Sequence, residues 1–112
     1  MVQYSPDVDA AFAALADPTR RGILEHLGFR DASISDLAGA FGMTLTGLKK
    51  HVQVLEDAGL VTTQKVGRVR SCRLGPRRLD EERTWIRTYH EMLEARIDRL
   101  GQFLERTKGS DR

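Results

Sequence analysis

Two helical stretches joined by a short glycine-containing turn restrict the fold of this sequence more than any other feature. The first, "SISDLAGAFG", has Ser33 or Ser35 as a suitable N-cap and ends at Gly42. The second begins almost at once, with Thr44 as its N-cap, and runs to Gly59. Two helices so close together predict a helix-turn-helix unit. Their inward-facing residues at helical spacing are Leu37, Ala38, Phe41, Leu48, Val52 and Leu55.

The second of these helices has two different sides. At 100° per residue its apolar residues fall within an arc of about 60°, which explains why the helix folds onto a core. The opposite arc combines cations for DNA phosphates with short polar groups for base edges in a major groove. A plain solvated surface is the alternative interpretation. The residues of that arc are Thr46, Lys49, Lys50, Gln53 and Asp57.

A small β-hairpin is predicted directly after this helix. "LVTTQKVGRVRSCRL" is rich in β-branched residues and is interrupted by Gly67-Arg68, which is typical of two strands and a tight turn. In the second strand Arg70, Cys72 and Leu74 share a face with Arg68, and we expect Leu74 to anchor the hairpin on the core.

Two short helices are predicted before the helix-turn-helix unit. Asp17 suits the N-cap of the second of them, Pro18 its first turn, and Gly28 its end. The residues expected to be buried are Val8, Ala11, Phe12, Leu15, Ile23, Leu24 and Leu27.

A long amphipathic helix is predicted over about residues 80–107. Some 25 residues reach about 38 Å, which exceeds what a domain of this size covers with its own core. A second copy of the same helix is the simplest cover, so we expect a two-fold homodimer; the alternative is a helix lying across its own subunit. The residues predicted for the dimer interface are Phe12, Trp85, Ile86, Tyr89, Leu93, Ile97 and Leu100.

Positive charge is concentrated in one part of the chain. Residues 43–79 contain eight Lys or Arg against two acids, a net +6, whereas the whole chain is only +2. A basic block in an otherwise acidic protein favours a polyanionic partner, with an ordinary solvated surface as the alternative.

Several other functional classes find little support in the residues. No apolar run approaches the length of a membrane span, and the N-terminus does not resemble a targeting segment, so we expect a cytoplasmic protein. One cysteine and three scattered histidines predict no disulfide, metal site or cofactor. No phosphate-binding glycine loop or nucleophile motif is present, and we expect no enzyme.

These elements together predict a mostly α winged helix-turn-helix fold with a small β-hairpin. "FAALADPTRRGILEHL", "LKKHVQVLEDAGLV" and "GRVRSCRL" resemble the ArsR-type bacterial repressors from about Asp9 to Leu104. The resemblance implies a dimeric, cytosolic transcriptional repressor that a signal releases from its operator. We expect a single domain over residues 1–108, with a frayed tail at 109–112.

Two departures from the family pattern concern base reading. Members usually have Ser-Gln where this chain has Thr44 and Leu45, and commonly Ser at the position of Lys49. Leu45 either contacts a thymine methyl or turns toward the core edge, which we favour. The predicted phosphate contacts are Lys49, Lys50, Lys65, Arg68 and Arg70, and the predicted base contacts are Thr44, Thr46 and Gln53, with Leu45 at the same surface.

The signal is not identified by the residues. The third helix has no thiol where the family's metal sensors carry Cys-x-Cys. His90, with Glu91, Glu94 and Asp98 nearby, forms a weak candidate for a metal site. Cys72 is either a redox sensor or a small buried apolar group, and His51 contacts either a phosphate or a structural partner. A metal- or thiol-responsive repressor and a protein-interaction module stay as alternative functions.

Overall fold

The computed structural model describes residues 6–110, and the side chains of residues 6–107. Internal contacts divide the chain into two compact units, Met1–Leu79 and Asp80–Arg112. The first unit contains α1 (Pro6–Leu15), α2 (Pro18–Leu27), β1 (Ala32–Ser33), α3 (Ile34–Phe41), α4 (Leu45–Asp57), β2 (Val61–Val66) and β3 (Val69–Leu74). The second is the helix α5 (Asp80–Ser110).

The predicted starts of α2, α3 and α4 are confirmed, and each of the three has a local capping interaction. Asp17 accepts a hydrogen bond from the Arg20 backbone N–H at 3.0 Å, and Pro18 opens α2. Ser33, not Ser35, caps α3, and Thr44 caps α4 by accepting from the Gly47 N–H at 3.1 Å. Such side chains satisfy donors that have no partner in the first helical turn.

The sheet has one strand more than the sequence predicted. β3 is the middle strand, antiparallel to β2 on one side and to the two-residue β1 on the other. Ala32 of β1 is paired with Cys72 of β3. A strand of two residues has no alternation to detect, which is why the sequence indicated only a hairpin.

The hairpin of β2 and β3, which we call the wing, turns at Gly67 and Arg68, as predicted. Val66 and Val69 pair on either side of a two-residue turn, and Gly67 has the positive φ of 63° that this turn requires of its first residue. From Gln64 to Arg70 every residue of the wing is exposed.

The prediction that Leu74 anchors the wing was wrong. Leu74 is 47% exposed, whereas Cys72, on the same face of β3, is fully buried in the core together with Val61. Leu74 pairs with Val61 at the base of the hairpin, where Val61 is buried in the core and Leu74 stays half exposed.

One hydrophobic core holds the first unit together. Every helix and strand of that unit contributes at least one buried residue to this core, and the contribution of α1 is Ala14. Phe12, Leu15 and Leu24, which were predicted to be buried, are only half-buried. The core residues are Ala14, Ile23, Leu27, Ala32, Ile34, Leu37, Ala38, Leu48, Val52, Leu55, Ala58, Leu60, Val61 and Cys72.

The C-terminal helix begins where it was predicted and ends later. It runs from Asp80 to Ser110, and residues 111 and 112 of the predicted frayed tail lie outside the described residues. The single domain over residues 1–108 stays a prediction.

The charge of Asp17 makes folding depend on pH. The hydrogen bond from the backbone N–H of Arg20, helped by the charge of the Arg20 guanidinium and opposed by partial desolvation, holds the pKa of Asp17 below its ordinary value of 3.8. A lowered pKa stabilises the fold above the ordinary value, and this stabilisation is lost as the pH falls through the lowered one. We expect Asp17→Asn, which keeps an acceptor but loses the charge, to lower the denaturation midpoint at about pH 7 and to have little effect at about pH 2. Equal midpoints at neutral pH would contradict this role.

Candidate nucleic-acid interface

The polar side of α4 is exposed, as the sequence predicted. Leu48, Val52 and Leu55 are buried in the core, so the rotation of the helix about its axis is fixed. The opposite side chains then point away from the core. Those exposed residues are Thr46, Lys49, Lys50, Gln53 and Asp57.

A cluster around Arg20 connects α4 to the first two helices. Arg20 Nε donates to the Ala14 carbonyl oxygen at 2.8 Å, and Nη2 donates to that of Ala13 at 2.9 Å. Its Nη1 lies 3.2 Å from His51 Nδ1 of α4. Because a guanidinium only donates, this contact requires Nδ1 to accept. Of the two roles considered for His51, the structure shows the structural hydrogen bond.

Lys49, Gln53, Lys65, Arg68 and Arg70 line one cavity of about 380 Å³ between α4 and the wing. We call this cavity the α4–wing cleft. Its floor and walls are completed by Ile34, Val52, Glu56 and Thr63. Residues that are up to 21 positions apart in the sequence therefore form one cationic surface, with one amide among the charges.

A second cavity, of about 310 Å³, lies at the start of α3. It shares Lys49, Arg68 and Arg70 with the α4–wing cleft and adds the hydroxyl-bearing Ser33 and Ser35. From the sequence only a capping role was predicted for these serines, because nothing local indicates that the start of α3 lies beside the wing. Ile34, Leu45 and Val69 complete the lining.

The remaining predicted contact residues on α4 lie outside both cavities. Thr46 and Lys50 are exposed on the helix, and Thr44 is exposed but uses its oxygen as the N-cap acceptor. Gln53, which does line the α4–wing cleft, already has a partner, since its Nε2 donates to Asp57 Oδ1 at 2.8 Å.

The expectation that Leu45 turns toward the core edge was wrong. Its side chain is 48% exposed and lines the second cavity with Lys49 and Arg68. Leu45 is the first residue of α4, and Leu48 is the first residue of this helix that is buried in the core. Leu45 therefore projects from the end of the helix.

The predicted interface residues of α5 form an exposed apolar stripe. Along this helix the large apolar side chains are between 43% and 64% exposed, and the rings of Trp85 and Tyr89 stack at 5.7 Å. On its flank, His90 Nε2 lies 3.4 Å from Glu94 Oε1. Phe12, the predicted contribution of α1, is half-buried in the first unit. The exposed residues are Trp85, Ile86, Tyr89, Met92, Leu93, Ile97, Leu100, Phe103 and Leu104.

The described residues contain neither a metal-binding group nor a membrane-spanning helix. None of the His, Cys, Asp and Glu side chains described in the structure form a group of three or more that could hold a metal ion. Within residues 6–110, no helix is both long and apolar enough to cross a lipid bilayer.

Comparisons with known proteins agree with this geometry. A family model described as a helix-turn-helix domain matches residues 15–64. The HTH-type transcriptional regulator Rv2034 of Mycobacterium tuberculosis is 32% identical over 98 residues, which cover 80% of this chain and 92% of Rv2034. The transcriptional repressor SdpR of Bacillus subtilis is 28% identical over 75 residues, 67% of this chain and 83% of SdpR.

A solved structure shows the same fold. The crystal structure of the ArsR family transcriptional regulator RHA00566 is similar with a TM-score of 0.74 and 39% sequence identity. The match covers 84% of this chain and 97% of that one.

Cys72 is fully buried in the core, and its thiol is not activated for reaction. Its burial, and secondarily the negative charge of Glu56, raise the pKa of the thiol above its ordinary value of 9.0, against a smaller lowering by Arg70. Since the thiolate is the reactive form, we expect Cys72 to react with a disulfide reagent at neutral pH only when the protein unfolds. The test compares the reaction rate in buffer with that in denaturant. A fast reaction of the folded protein would contradict this prediction and favour a thiol sensor.

Proposed function

The chain belongs to the ArsR family of winged helix-turn-helix transcriptional regulators, and on this premise we propose that it is a cytoplasmic repressor that binds an inverted-repeat operator as a homodimer. The observation that supports DNA contact most is the α4–wing cleft, where four cations from two elements meet beside Gln53. Phosphate oxygens are the partners that such cations select in DNA, and the amide can read a base edge.

Each element has its own role in this proposal. α4 enters a major groove, where Thr46 and Gln53 face base edges and Lys50 contacts a flanking phosphate. Lys49, Lys65 and Arg70 hold the phosphates beside the cleft, and Arg68 at the tip of the wing reaches the neighbouring minor groove. Thr44 acts mainly through its cap, and Leu45 offers an apolar contact for a thymine methyl.

The homodimer is supported by the apolar stripe of α5. A helix of 31 residues is about 46 Å long, and a stripe of nine large apolar side chains along it needs a partner surface. A second copy supplies an identical stripe by two-fold symmetry. Two recognition helices so related meet successive major grooves about 34 Å apart, hence the inverted repeat.

Repression is supported by the similarity to SdpR, whose name describes a transcriptional repressor. A dimer that covers two successive major grooves also excludes other proteins from that stretch of DNA. The assignment to the cytoplasm follows from the same proposal, because the operator of a bacterial regulator lies there.

Loss of Lys49 should reduce DNA affinity mainly through phosphate contacts. We expect Lys49→Ala to weaken binding to all duplexes by a similar factor and to lower the slope of log affinity against log salt by about 0.9. Arg30→Ala is a matched control, because Arg30 is exposed and lines neither cavity. Fluorescence anisotropy titrations over a salt series measure the affinity and its dependence on salt. Salt-independent binding would instead favour a protein-interaction module.

Disruption of the α5 stripe should separate the homodimer. We expect Leu93→Asp to yield monomers in analytical ultracentrifugation, since a buried unpaired carboxylate is costly at an interface. Ala95→Asp, with the same new charge about 200° around the helix, is the control. On the inverted-repeat DNA, footprinting should then show weak or single half-site protection. A dimer that persists in Leu93→Asp would refute this interface.

A further inference from the structure

Among the described residues that line the α4–wing cleft, Glu56 alone carries a negative charge. It lies in the last turn of α4 and is half-buried, with the cationic side chains of Lys49, Lys65, Arg68 and Arg70 around the same cavity. A carboxylate in a surface that attracts phosphates weakens that attraction, so its presence needs a physical reason.

A short hydrogen bond joins Glu56 to the wing. Thr63 Oγ1 donates to Glu56 Oε2 at 2.6 Å, and both groups are partly shielded from solvent. This length is typical of a hydroxyl that donates to an ionised carboxylate, which is about twice as strong as a bond between neutral groups.

The position of Thr63 gives this bond its importance. Thr63 is the last half-buried residue of β2, and the wing is exposed from Gln64 onward. Beneath it, the wing is held by the buried Val61 and Cys72. The bond is therefore the outermost attachment of the wing to α4 before the segment that carries Lys65, Arg68 and Arg70.

We propose that Glu56 is a positioning and specificity-determining residue for DNA recognition. Through Thr63 it sets the angle of the wing relative to α4, so that the cations of the wing and the polar side of α4 fit the same stretch of DNA. Its charge also lowers the affinity of the cleft for phosphates in general. This inference rests on the proposed function.

The two effects can be separated by substitution. Thr63→Val keeps the shape and the β-propensity of the side chain and removes the hydrogen bond, whereas Thr63→Ser restores the hydroxyl. Glu56→Gln keeps an oxygen that accepts from Thr63 and removes the charge. Glu25→Gln is the matched control, because Glu25 is an exposed acid on α2 that lines neither cavity.

The experiment uses the full-length protein and two DNA probes. One is the duplex that the wild-type protein enriches from a random library, and the other is a scrambled duplex of the same length and base composition. Anisotropy titrations give the affinity for each duplex and the ratio of the two, over a salt series. Thermal unfolding of each variant is measured in parallel.

Thr63→Val should bind the selected duplex about tenfold more weakly with little change on the scrambled duplex, and Thr63→Ser should restore the ratio. Glu56→Gln should bind the scrambled duplex about three- to tenfold more tightly at low salt, with a steeper salt dependence. Glu25→Gln should match the wild type on both probes.

A merely structural role would lower the unfolding temperature and weaken both duplexes alike. That outcome overturns the proposal, as does an unchanged ratio in Thr63→Val or an unchanged scrambled affinity in Glu56→Gln. If the wild-type protein itself does not prefer the selected duplex, the proposed function fails and this inference with it. If the wild-type protein discriminates and Thr63→Val discriminates equally, only this inference fails.

Discussion

Burial of one side of α4 is the constraint on which the DNA-facing surface depends. Leu48, Val52 and Leu55 occupy the core, and their positions leave α4 no freedom to rotate without exposing them. Full burial of side chains of this size contributes about 1.5–3 kcal/mol each, more than any single surface contact of the helix. The outward direction of the lysines and the glutamine is thus a consequence of core packing.

Polar contacts then fix what core packing leaves adjustable. Midway along α4, the ring of His51 contacts Arg20, which also donates to carbonyls in the last turn of α1. In the last turn of α4, Glu56 holds the wing through Thr63. Hydrophobic contact is non-directional, whereas these hydrogen bonds require a particular geometry. The first unit therefore combines an apolar core that supplies stability with two polar attachments that supply orientation.

The sequence predicted the parts of this fold that are determined locally. Asp17 and Thr44 cap their helices, and Gly67 turns the hairpin, because capping and turn chemistry involve only neighbouring residues. The family resemblance and the helix-turn-helix unit were also confirmed. Strand β1 was missed, and Leu74 was chosen as an anchor instead of Cys72, because burial depends on what lies across the sheet.

The charged residues of the candidate site could be predicted from the sequence, but the contacts between residues that are distant along the chain could not. The cations of α4 and of the wing are visible in the sequence, yet their meeting in one cleft depends on the angle between helix and hairpin. Glu56 and Thr63 gave no signal, since their importance arises from residues that are distant along the chain. That these side chains read an inverted-repeat operator stays a prediction.

The bond between Gln53 and Asp57 bears on how such a helix tells one base pair from another. If Gln53 reads a base as proposed, docking exchanges its bond to the carboxylate for one to the nucleobase, so the net gain in affinity is small. A mismatched base offers no replacement, and the amide then keeps its internal partner at no cost. The side chain would thus favour the correct sequence mildly and tolerate the wrong one.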